Sequence, residues 1–192
     1  MNRPRALQLT AALIAAGLVV LGIVWWQAGA SPESAVRSGT KQAVPAVPGP
    51  GSQSALYFPA ASGMLELEMR TAPADLEPSA RKQWLAEQLV AGPESKGLRP
   101  ALPAGTQVAS VFTTSDGRIF VDFTIPESTG VGMGSAEELL ALYSIVNTLL
   151  LGDEDARSTV LLINGRQRET FAGHFDTSRP LVPRPDLIRE PG

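Results

Sequence analysis

The 192 residues include no cysteine and a single histidine, His174. The first absence excludes disulfides, thiolate metal sites, a cysteine nucleophile and a lipid anchor on cysteine. The second confines any histidine-dependent triad to one position and excludes multi-histidine metal sites. No Gly-x-Ser-x-Gly elbow occurs, so the nucleophile turn of the α/β-hydrolases is missing as well. Aromatics make up 6% of the chain, and beyond Trp25 and Trp26 the one tryptophan is Trp84. A sugar cleft, which displays aromatic faces and sets two carboxylates about 5 to 10 Å apart, therefore has little to be built from.

Charge is also absent from the run Ala6 to Trp26, 21 residues preceded by Arg3 and Arg5. At about 1.5 Å per residue such a helix reaches roughly 30 Å, the thickness of a bilayer's hydrocarbon core. The arginines read as the cytoplasmic flank, and Trp25 and Trp26 suit the headgroup zone. The sequence thus predicts a membrane segment over residues 1–26, with the rest of the chain extracytoplasmic. Ala28-Gly29-Ala30 offers the alternative of a cleaved signal peptide, but the apolar run is longer than the roughly 7 to 15 residues of such peptides. Residues 27–54 follow, 13 of 28 being Pro, Gly or Ser. This composition cannot bury enough apolar surface to offset its ordering entropy, so it reads as a tether.

From residue 55 the pattern becomes globular. The segment 55–180 is long enough for one domain, and 181–192 reads as a Pro-rich tail. From residue 55 to the end there are 12 Lys and Arg against 18 Asp and Glu, a net charge of −6 that disfavours nucleic acid. Leu56-Tyr57-Phe58 and the alternating Leu65 to Arg70 predict two strands, the second with Glu66 and Glu68 on its solvent face. Asp75, Glu77 and Pro78 start a helix that Gly92-Pro93 ends, with Trp84, Leu85, Leu89 and Val90 on its apolar side. Val108 to Val111 and Ile119 to Phe123 flank Ser115-Asp116-Gly117, a hairpin turn.

Ser135 and Glu138 read as a capping box for the next helix, whose stripe is Leu139, Leu142, Tyr143, Val146, Leu149 and Leu150. Asp153-Glu154-Asp155 reads as a solvated loop. Thr159 to Ile163 predicts a buried strand, Asn164-Gly165 a type I′ turn, and Arg168 to Phe171 its partner strand. The expected class is α+β, two helices on one face of a mostly antiparallel sheet.

Few segments carry chemistry. His174 could be oriented by Asp176, yet no other triad feature accompanies it. Gly130-Val131-Gly132-Met133-Gly134 follows a strand and precedes a helix, as phosphate loops do, but lacks the Gly-x-Gly-x-x-Gly spacing. Gly130, Gly132 and Gly134 are instead expected to form an adaptable rim, a candidate contact surface. No catalytic, cofactor or metal residues are assigned.

Leu56-Tyr57-Phe58, Leu89 to Pro93, Leu102-Pro103-Ala104-Gly105-Thr106, Val121-Asp122-Phe123, Asn147-Thr148 within the second helix and the Asn164-Gly165 turn together resemble the GerMN domain of sporulation and spore-germination proteins. The resemblance covers Ala55 to Pro180 in a single copy. It implies a fold similar to the ring-building domains of envelope-spanning machines, no established catalytic residues, and a setting in the cell envelope. The expected partners are the membrane, envelope or peptidoglycan-associated proteins, and further copies of the chain. The alternative is an accessory of a cell-wall hydrolase that binds peptidoglycan or another ligand directly.

Overall fold

The structure, a computed structural model, describes residues 51–126 and 132–190. The expected membrane segment and most of the tether lie outside these residues. Among the described residues no helix is long and apolar enough to cross a membrane.

Strands β1 (Gln53–Pro59) and β2 (Leu65–Thr71) pair antiparallel as a separate two-stranded sheet. Helix α1 (Pro78–Ala91) starts at Pro78, whose missing N–H suits the first turn, and stops at Gly92, which takes φ 84°. Strands β3 (Gln107–Thr113) and β4 (Arg118–Thr124) form the expected hairpin. Gly117 at φ 80° supplies its turn, and the Thr114 hydroxyl and Arg118 guanidinium hold the Asp116 carboxyl down to about 2. Helix α2 (Ser135–Leu150) then crosses to β5 (Ser158–Ile163), which lies parallel to β4. The class is α+β.

Two expectations of topology are corrected. The strands divide into two sheets, and one of the three strand pairings, β4 with β5, is parallel. Arg168 to Phe171 is not a strand. Asn164 (φ 54°) and Gly165 (φ 75°) do make the tight turn, but the ladder beyond it ends at a single bridge between Ile163 and Arg166. The Asn164 side chain instead exchanges two hydrogen bonds with the Ile125 backbone, at 2.9 and 3.1 Å, locking the turn to the end of β4.

In β2 the expected facing holds at Leu65, which is buried, and is reversed from Leu67 onward. Glu68 and Arg70 are buried, while Leu67 and Met69 are 48% and 50% exposed. Glu68 pairs with Arg70 at 2.6 Å and accepts the N–H groups of Glu94 and Ser95, at 3.1 and 2.7 Å. Arg70 also reaches the Gly92 carbonyl at 2.6 Å, just past the end of α1. The pair therefore ties α1's exit to the sheet. A buried charge is tolerable only with such partners.

Core packing centres on α2, which touches both sheets. From Leu140 to Leu150 it is buried except at half-buried Tyr143, so its burial is much wider than a single stripe. Three of its four buried polar residues, Ser144, Asn147 and Thr148, tie it to neighbouring segments. Ser144 donates to the Tyr57 carbonyl and Thr148 accepts the Tyr57 N–H at 3.1 Å, closing the outer edge of β1. Asn147 exchanges bonds of 2.9 and 3.0 Å with the Arg184 backbone. The segment read as a tail is thus held in place: Leu181 bridges Thr159 of β5, and the Arg189 N–H bonds the Leu65 carbonyl of β2 at 2.8 Å.

Candidate functional site

A heavily bonded carboxylate sits at the N-terminal end of α2. Glu138, expected to close a capping box, is fully buried. The residue before the helix is Gly134, in extended conformation, and Ser135 makes no side-chain cap bond. Glu138 Oε1 accepts the N–H of Ala172 at 2.8 Å and of Phe175 at 3.3 Å. Its Oε2 accepts the N–H of His174 at 2.9 Å and faces His174 Nδ1 at 2.7 Å. Burial pushes this carboxyl up. The three backbone donors and the imidazole outweigh that and hold it below the usual carboxylate range.

This knot corrects the reading of His174. Its orienting partner is Glu138, whereas Asp176 accepts the Ser178 N–H at 2.8 Å in a turn of its own. A carboxylate only accepts, so Nδ1 is the donor. The pair has the form of the carboxylate and imidazole of a triad, but among the described residues no hydroxyl bonds His174. Glu138 and His174 close the loop 172–175 onto the helix end. The signal for this was present in sequence, since Glu138 precedes Leu142, Ile145 and Leu149 at helical spacing on an inward face.

The other candidates stay apart from this knot. Glu66 is held by Arg189 at 3.1 Å and does not share a face with a second free acid, since Glu68 is spent on Arg70. Asp153 pairs with Lys82 at 2.6 Å and accepts the Asp155 N–H at 3.0 Å. Among the described residues no cluster of His, Asp or Glu could hold a metal ion.

Of the glycine rim, Gly130 lies outside the described residues. Gly132 and Gly134 are exposed, and a Cβ on either would meet nothing within 4 Å. Between them Met133 turns inward and lines a groove of about 300 Å³ with Pro59, Pro100, Ala101 and Ala141. An exposed ion pair, Arg99 with Glu137 at 3.6 Å, edges it. One end of α2 thus brings together two of the glycines, the His174 loop and a small apolar groove with a charged border. The arrangement can grip an apolar side chain flanked by polar groups. Among the described residues no hydroxyl is bonded to its imidazole, and its buried carboxylate has no free lone-pair direction for a substrate.

Residues 55–169 match the family described as sporulation and spore germination, named Germane. The first GerMN domain of the sporulation protein GerM from Bacillus subtilis is similar at 23% identity and a TM-score of 0.56, over 68% of this chain and 97% of that one. The tandem GerMN domains of the same protein align at 22% identity and a TM-score of 0.56, covering 68% of this chain and 46% of the tandem, consistent with a single copy here. A protein from Clostridium perfringens assigned as a lipoprotein aligns at 23% identity and a TM-score of 0.50, over 68% of this chain and 87% of that one. At these identities the likeness establishes the fold. No curated protein matches the chain.

Proposed function

Since the chain belongs to the sporulation and spore germination domain family, we propose that it is a non-catalytic interaction module of the cell envelope, tethered to the membrane and working on its outer side. One observation carries the reading. The groups that a reaction would recruit, Glu138 and His174, are used on each other and on the loop 172–175. What the α2 end presents outward is a recognition surface of glycines, a methionine-lined groove and an ion pair. The uncharged run Ala6 to Trp26 supports the tether, and the lipoprotein assignment of the Clostridium perfringens relative agrees with an extracytoplasmic domain.

Crosslinking in intact cells followed by mass spectrometry tests the reading. Envelope or peptidoglycan-associated proteins are expected among the crosslinked neighbours, with crosslinks near residues 132–137 and 99–101. Binding of the purified chain to sonicated peptidoglycan, free of other proteins, would favour direct wall recognition. Turnover of a wall substrate that disappears with His174→Ala would overturn the non-catalytic reading.

A further inference from the structure

At the opposite, C-terminal end of α2 a cleft of about 850 Å³ opens between the start of β1, the first half of α1 and the loop leading to β5. Ala55, Leu85 and Leu149 give it an apolar lining. Clefts of this size take a small ligand or a stretch of about four peptide residues.

The polar groups of the cleft are unequal. Lys82 and Asp153 are closed on each other at 2.6 Å. Arg81 is not so paired. Its Nη1 donates to Ser54 Oγ at 3.0 Å and its Nη2 to Ser52 Oγ, and among the described residues no carboxylate forms an ion pair with it. Ser54 is 8% exposed, yet its own hydroxyl proton finds no acceptor among the described residues. A guanidinium with two serine hydroxyls beside it, one of them buried with its proton unspent, is the donor set of a carboxylate site. Glu154 and Asp155 also line the cleft, both exposed, and among the described residues neither is paired with a cation. They repel a polyanion such as a phosphodiester chain and attract an ammonium group.

We propose that this cleft binds a short peptide with a free carboxylate, the carboxylate seated on Arg81, Ser52 and Ser54 and an ammonium group of the same peptide set against Glu154 and Asp155. The site is distinct from the glycine rim, so its failure would leave the reading of the other end standing.

Calorimetric titration of the full-length chain with tetra-alanine tests the proposal, alongside its C-terminal amide and its N-acetyl form. Saturable binding of the free peptide is expected, with a loss of roughly tenfold or more on amidation, because a charge-assisted pair is removed. N-acetylation should cost a smaller factor, about twofold to fivefold, since the Glu154 and Asp155 carboxylates lie in water. Arg81→Ala should bind the free peptide no better than the wild type binds the amide. Should Arg81→Ala fail to fold, the exposed pair Glu154→Gln and Asp155→Asn keeps the test alive by erasing the difference between free and N-acetylated peptide. No saturable binding of tetra-alanine, or equal binding of its amide, would overturn the proposal.

Discussion

Glu138 shows how a single side chain can organise a loop. Its carboxylate stands at a point where Ala172, His174 and Phe175 all direct N–H groups inward, so the charge is the keystone for a segment without regular structure. Glu138→Gln keeps the shape but loses the charge and turns one acceptor into a donor facing other donors. Denaturant unfolding at pH 7 should show a loss of about 2 to 4 kcal/mol. The pH dependence has a definite sign. Because the folded carboxyl titrates below its ordinary value, its stabilising contribution is complete above the unfolded value of 4.5 and is lost as pH falls through the lower folded value. The wild type should therefore lose stability in acid more steeply than Glu138→Gln. Thr159 is the opposite case. It is fully buried and its hydroxyl is the one buried side-chain polar atom without a partner among the described residues. Thr159→Val removes that orphan with little change of shape, and thermal melting should rise by an amount equivalent to about 1 kcal/mol.

Among the elements, those with punctuation were legible in the sequence and those placed by distant partners were not. Pro78 and Gly92 bound α1, Asp116-Gly117 turns the β3–β4 hairpin, and Asn164-Gly165 adopts its left-handed pair, because each depends on backbone chemistry local to those residues. The inward face of β2 depends on Arg70 finding Gly92, 22 positions away, and no alternation rule carries that information. The same holds for β5: an Asn-Gly turn predicts a returning strand, but beyond the Ile163–Arg166 bridge the outer edge of β5 is met by Leu181, which exchanges backbone bonds with Thr159. At the candidate site Gly132 and Gly134 lie just before α2 and are exposed, their role as a contact surface being a proposal, while the Ser135 to Glu138 spacing mimicked a capping box. Asn147 offers a test at this scale, since its amide reaches out of α2 to the Arg184 backbone and holds residues 181–189 against β5 and β2. Asn147→Ala leaves the Arg184 N–H and carbonyl without their side-chain partner and should cost about 1 to 2 kcal/mol. Hydrogen exchange should speed up at the Arg184 and Arg189 amides before it does so in β4.

For the molecule as a whole, the distribution of effort separates scaffold from surface. Buried polar groups such as Glu68, Arg70, Glu138, Ser144 and Asn147 join parts of the chain far apart in sequence, cross-links of a kind that a cysteine-free domain cannot make with disulfides. Regions that bind need not be tightly bonded, and the α2 end keeps its exposed glycines on the rim rather than within the knot. This makes a two-variant experiment decisive. Gly132 is exposed, has open space around its Cα and does not adopt the left-handed conformation that excludes a side chain. Gly132→Val should therefore melt within about 2 °C of the wild type. It nevertheless widens the rim of the Met133 groove where another backbone would approach, so capture of the crosslinked partner should fall at least about tenfold, the effect of losing a single good contact. His174→Ala should do the reverse. It removes one hydrogen bond to Glu138 but leaves the backbone N–H of residue 174 in place, costing about 1 kcal/mol of stability while partner capture persists. If His174→Ala alone abolished activity in cells and Gly132→Val kept every partner, the work of this domain would lie in the imidazole and not in the surface.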